Sequence, residues 1–242
     1  MLTMRDHAVE DYAQLRDMDA TDVGELAEDD RACLDELGQY LVEDDASDRF
    51  AIWLLHKHFE PAPGEVFVER AIREPRGTET TPARRSAFGK RGLSTTAIRF
   101  DESVTSGVGV IGMEFAEPAD FGGVSPLSDD DEAVLAGIAQ RLRAHGKIER
   151  FGVRLIRNPL GLSEHELLSE TSDSSQRTLH CTVTNRGAMP TQTVIETTWR
   201  WRVVQGKAEP RAQVECIATC RRAGEGHDIA HLHEREDDFG ND

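Results

Sequence analysis

The chain matches itself at a fixed offset of 101 residues, and this limits what it can fold into more than any other feature. Leu26–Arg70 aligns without a gap on Leu127–Thr171. Identical pairs include Asp29/Asp130, Asp30/Asp131, Leu34/Leu135, Leu41/Leu142, Arg49/Arg150, Phe50/Phe151, Leu54/Leu155, Glu65/Glu166 and Glu69/Glu170. Conservative pairs such as Leu37/Ile138, Ile52/Val153 and Leu55/Ile156 keep the apolar pattern between them. A gapless frame in which identity and periodicity agree points to an internal duplication.

Each copy opens on an acidic helix start, Glu28-Asp29-Asp30 or Asp129-Asp130-Asp131, where carboxylates meet the positive end of the helix dipole. Leu34, Leu37 and Leu41 recur at helical spacing, as do Leu135, Ile138 and Leu142. The helices break at 44–48 and at His145-Gly146. Strands are expected over Phe50–Phe59 and Phe151–Asn158, then from near Glu65 and Glu166. β-Branched runs at Thr95–Phe100, Val108–Phe115, Thr178–Thr184, Thr193–Val204 and Ala212–Arg221 predict further hairpins. The expected fold is α+β, built from internally duplicated helix-plus-antiparallel-meander units with pseudo-twofold symmetry. An N-terminal extension is expected over residues 1–22, with a short helix at Val9–Met18. The first repeat covers 23–120, with a basic loop at 70–93, and the second covers 121–222. An acidic, histidine-containing tail over 223–242 is expected to be mobile.

The formal net charge of −17 sets the chain against nucleic-acid phosphates and anionic membrane surfaces as partners. No stretch approaches the roughly 18 apolar residues of a membrane span. Residues 1–10 carry Arg5, Asp6 and Glu10 and have no apolar signal core, so a cytoplasmic setting is expected. The four cysteines are too few for a disulfide scaffold. Phosphate-binding glycine loops, nucleophile elbows and H-E-x-x-H helices are missing, so no nucleotide cofactor is expected.

The first candidate site is His56-Lys57-His58. On a regular strand the two histidines share the face of Phe50, Ile52 and Leu54. The copies agree over that apolar face and then diverge, His56 against Arg157 and His58 against Pro159. Paired imidazoles with the carboxylate of Glu65 across the turn form a catalytic or metal-ligating set, suited to one divalent ion such as iron or zinc. Alternatively, the histidines are strand-end residues bonded to backbone or water. Arg73, Arg84 and Arg85 in the basic loop suit an anionic substrate, or dock on the protein's own acidic surface. Trp199 and Trp201 alternate with arginines; they wall a ligand pocket or belong to the core. Cys216, Cys220, His227, His231 and His233 have a zinc-like spacing, but thiols four residues apart on a strand lie about 13 Å apart, too far to share one ion. Two functions follow. One is a small-molecule enzyme, metal-assisted or not, with its pocket near His56 and His58. The other is a non-catalytic module binding a small hydrophobic ligand or a protein. A homo-oligomer suits either.

Overall fold

The computed structural model describes residues 1–17, 26–163, 166–185, 195–205, 210–223 and 226–228. Its elements are β1 (Leu2–Asp6), α1 (Val9–Ala13), β2 (Arg16–Asp17), α2 (Glu28–Glu43), β3 (Phe50–Leu54), β4 (His56–Lys57), β5 (Glu65–Arg73), β6 (Arg76–Arg84) and a 3-10 segment (Arg85–Arg91). There follow β7 (Ser94–Phe100), β8 (Val108–Ala116), a 3-10 turn (Asp129–Asp131) leading into α3 (Glu132–Ala144), and β9 (Phe151–Leu155). β10 (Glu166–Asp173), β11 (Thr178–Asn185), β12 (Ile195–Gln205), β13 (Pro210–Ala223) and β14 (Gly226–Asp228) complete the chain. The fold is mixed α+β, with one large sheet and few helices.

Both long helices begin where the acidic starts predict. Asp30 accepts the Ala27 N–H at 3.1 Å, and Asp131 accepts the Ser128 N–H at 2.9 Å. Each carboxylate thereby satisfies a backbone donor that the helix itself cannot. The periodic residues Leu34, Leu37, Leu41, Leu135, Ile138 and Leu142 are all buried in one cluster with Phe50, Ile52, Leu54, Phe151 and Val153. The helices therefore cover one face of β3 and β9.

The twelve-stranded sheet runs β1-β8-β5-β6-β11-β10-β14-β13-β12-β3-β9-β7. β7 also pairs with β8, so the sheet closes on itself. β1 lies outside that ring, parallel to the first half of β8, while β5 pairs with its second half. β3 and β9 are antiparallel and centred on Ile52↔Val153. β6 meets β11 across Gly77, where a Cβ would come within 2.0 Å of the Cys181 carbonyl oxygen. Only glycine permits this approach.

Four expectations need correction. Residues 1–17 are not an appendage: β1 joins the sheet, and Tyr12 and Leu15 are buried against Trp53, Leu55 and Phe67. The helix there spans only Val9–Ala13. Residues 70–93 are not a loop. β5 and β6 form a hairpin with Glu74-Pro75 at its tip, and Thr78 and Thr80 are buried on it. The Arg, Pro and Gly content hid a β-branched strand. The strand after Phe50 is interrupted at Leu55, so His56 does not continue the face of Phe50, Ile52 and Leu54; β4 instead pairs in parallel with β2 in a separate two-stranded sheet. Finally, the start of the tail is structured, because β14 bridges β13 and β10.

Candidate functional site

Inside the closed sheet lies a small cavity of about 30 Å³ that opens to solvent. Its lining comes from around the ring: Trp53 of β3, Phe67 of β5, Thr80 of β6, Glu114 of β8, Arg154 of β9, Leu179 of β11 and Thr197 of β12. The segment His56–Phe59 and Tyr12 of α1 complete it. The break at Leu55 is what turns His56, Lys57 and His58 to this interior. An unbroken strand would have left the two histidines on the helix-covered face.

His56 is buried and packs edge-on to Trp53, with ring centroids 5.9 Å apart. Its Nδ1 lies 2.7 Å from the Leu54 carbonyl oxygen. A carbonyl can only accept, so Nδ1 carries the proton, and when the ring is neutral its Nε2 presents a lone pair. His58 Nε2 lies 3.2 Å from that atom, and toward a neutral His56 it is the donor. The two rings stand nearly perpendicular, at 85°.

The rest of the lining divides into apolar and polar parts. Tyr12, Trp53, Phe59, Phe67 and Leu179 are apolar or aromatic; Thr80 and Thr197 contribute hydroxyls. Arg154 pairs with Glu114 and lies 5.4 Å from the centre of the Trp53 ring. Lys57 is held by Glu60 at 2.5 Å. Tyr12 donates to the Met113 carbonyl at 3.1 Å, and burial pushes its phenol far above the ordinary range against a smaller pull from Arg154.

The other expected site residues lie elsewhere. Glu65 does not line the cavity; it accepts the Ala62 N–H at 2.8 Å and is bound by Arg177. Arg73 and Arg84 are exposed at strand ends, and Arg85 pairs with Asp6 at 3.0 Å, its guanidinium over Phe115. None of the three reaches the cavity. Trp199 and Trp201, each 2% exposed, belong to the helix-side core, Trp199 against Phe151 and Trp201 against Gly38. Register shifts between Glu196 and Trp199 separate them from Thr197, which does face the cavity. His165, His231 and His233 lie outside the described residues, as do the side chains of Cys216, Cys220 and His227.

The sequence reasoning missed Tyr12, Glu114 and Arg154. A signal existed for the last two: each is a charged residue within an otherwise apolar strand, which demands a buried partner. Nothing within β8 or β9 alone, however, says that the partners are each other.

As a metal centre the donors are incomplete. Two imidazoles sharing a tetrahedral ion at Zn–N distances of about 2.0–2.1 Å have their nitrogens about 3.3 Å apart, close to what His56 and His58 present. No group of three His, Cys, Asp or Glu side chains capable of holding an ion occurs among the described residues. No helix among them is long and apolar enough to cross a membrane. Comparison with family models, curated proteins and solved structures finds no match.

Proposed function

We propose that the chain is an internally duplicated, pseudo-twofold scaffold whose closed sheet holds a small-molecule site, and that it is an enzyme moving a proton between substrate and the His56–His58 pair. The duplication is supported by contacts that repeat at the 101-residue offset. Arg49 pairs with Asp131, and Arg150 with Asp30. The Leu55 N–H donates to the Arg150 carbonyl, and the Ile156 N–H to the Arg49 carbonyl, both at 2.9 Å. Glu65 pairs with Arg177, and Glu166 with Arg76. The β3–β9 ladder is centred on two residues that are themselves 101 apart.

Against that symmetry the histidines stand out. The counterpart of His56, Arg157, is instead bound to Glu69 at 2.9 Å and to the Asp120 carbonyl at 2.8 Å, a buried structural arrangement. The functional reading rests on one observation: two imidazole Nε2 atoms 3.2 Å apart at an open cavity. His56, its tautomer fixed by Leu54, accepts the His58 Nε2–H and so presents His58 Nδ1 as the base that takes the substrate proton. The setting we propose is the cytoplasm, where the Cys33 thiol, which burial pushes up to about 12, stays reduced.

The test is a pH titration of the two rings followed by ¹⁵N NMR. Coupled rings titrate in two linked steps, each sensed by both. Independent single-step titrations contradict the pairing. A metal-assisted version is favoured only by the nitrogen spacing, and it needs a third ligand besides Glu65. Stoichiometric zinc or iron in untagged protein, lost in His56→Ala/His58→Ala, would support that version. Ligand binding that survives this double substitution would instead favour a non-catalytic binding module.

A further inference from the structure

Arg154 is the cavity group that proton transfer leaves unused. It stands within an otherwise apolar strand, and among the described residues its one hydrogen bond goes from Nη2 to Glu114. A guanidinium has five N–H donors, so most of this one's donors are uncommitted. The side chain is 24% exposed, and Trp53 packs under it at 5.4 Å. The same indole touches His56. We propose that the cavity takes a small monocarboxylate with an apolar body, its carboxylate received by the uncommitted donors of Arg154 and its body set among Trp53, Phe59, Phe67 and Leu179. This rests on reading the interior as a small-molecule site and names what that site binds.

Three observations select the class. A planar fork already holding one carboxylate has the geometry for a second. Arg5 does this in the same chain, bonding Asp11 through both terminal nitrogens at 2.6 and 3.0 Å and Asp101 through Nε at 2.9 Å. The charge present favours a monoanion over a dianion. Glu114 already balances Arg154, and Lys57 is tied to Glu60, so each added negative charge gains less than the one before. The aromatic walls favour an apolar body over a polyhydroxylated one.

The experiment compares phenylacetate with the uncharged phenylacetamide by calorimetry and by histidine ring NMR, on the wild type, Arg154→Lys and Glu114→Gln. Phenylacetate is expected to bind the wild type about tenfold or more tightly than the amide, because only the anion engages the fork. Arg154→Lys, which keeps the charge and loses the fork, is expected to cost about tenfold for phenylacetate alone. Glu114→Gln is expected to strengthen phenylacetate binding several-fold by removing the competing negative charge. Failure of phenylacetate to bind, or equal affinity for acid and amide, overturns the proposal without recourse to any variant. If phenylacetate shifts the His56 and His58 signals equally in the wild type and Arg154→Lys, the Arg154 assignment falls and the histidine reading stands. Arg154-dependent binding that leaves both rings unmoved upholds the carboxylate site and counts against the histidine reading.

Discussion

Glu65, at the start of β5, is bound by Arg177 in the turn between β10 and β11. Its turn-capping bond to the Ala62 N–H is repeated by Glu166 with the Ser163 N–H at 3.0 Å. A carboxylate serving the same structural task at both positions needs no catalytic explanation. The pair is a fifth to a third exposed, so solvent screening keeps its worth small. Glu65→Gln is expected to cost about 1 kcal/mol in urea unfolding, mostly through the lost cap and ion pair. Metal content and cavity-ligand affinity are expected to be unchanged. A tenfold loss of either would restore Glu65 to the site.

Trp201 makes a sharper structural prediction. A Cβ on Gly38 would come within 2.0 Å of the Trp201 indole nitrogen, so α2 seats on the sheet only because that position is bare. Gly38→Ala gains helix propensity on paper, yet is expected to destabilise by about 1–3 kcal/mol through overpacking. Denaturant melts check this. A stabilised variant would mean that the indole is not held there. Trp201→Phe is expected to lower stability without altering ligand affinity, since the residue does not face the cavity.

Tyr12 tests the role of the N-terminal segment. It is 5% exposed and bonds the Met113 carbonyl. Tyr12→Ala is expected to cost about 3 kcal/mol or more, as for other large buried aromatics. Chains lacking residues 1–17 are expected to lose still more. A segment that could be removed without change in melting temperature would be the dispensable extension that its polarity suggests.

His7 gives a pH prediction. It is buried among Tyr12, Phe67 and Phe115, with Nδ1 2.9 Å from the Gly112 carbonyl. Burial holds its pKa below the ordinary value, outweighing the Gly112 bond and the nearby Asp6 and Asp11. The folded state therefore binds fewer protons here than the unfolded chain. The stabilising contribution is complete above the unfolded pKa of about 6.5 and is lost as pH falls through that value toward the folded one. His7→Gln, which keeps a donor for Gly112 but cannot titrate, is expected to flatten the fall in stability as pH drops below about 6.5. An unchanged slope would show that His7 is not the group responsible.

The helices and most strands were legible because their residues repeat: Leu34, Leu37 and Leu41 at helical spacing, and Phe50, Ile52 and Leu54 at strand spacing. Closure of the sheet was not legible, because it depends on β7 bonding to both β8 and β9, a choice that no local pattern encodes. The position of His56 and His58 as candidates could be read from where the 101-residue self-match breaks down, at Arg157 and Pro159. Their orientation could not, since one residue of irregular backbone at Leu55 reverses the face. Glu65 was a natural third ligand in sequence and is committed elsewhere in space. Arg154 and Glu114 were hidden because their pairing spans 40 residues across strands that meet only through β7.

The most direct test of the account is a long-range ¹H–¹⁵N spectrum of the histidine rings near neutral pH. The predicted spectrum has His56 in the Nδ1–H tautomer and His58 in the Nε2–H tautomer, each slow to exchange, with both displaced by a cavity ligand such as phenylacetate. Two rings averaging freely between tautomers, exchanging with solvent and indifferent to phenylacetate, would contradict the claim that His56 and His58 form a working pair at the heart of a small-molecule site.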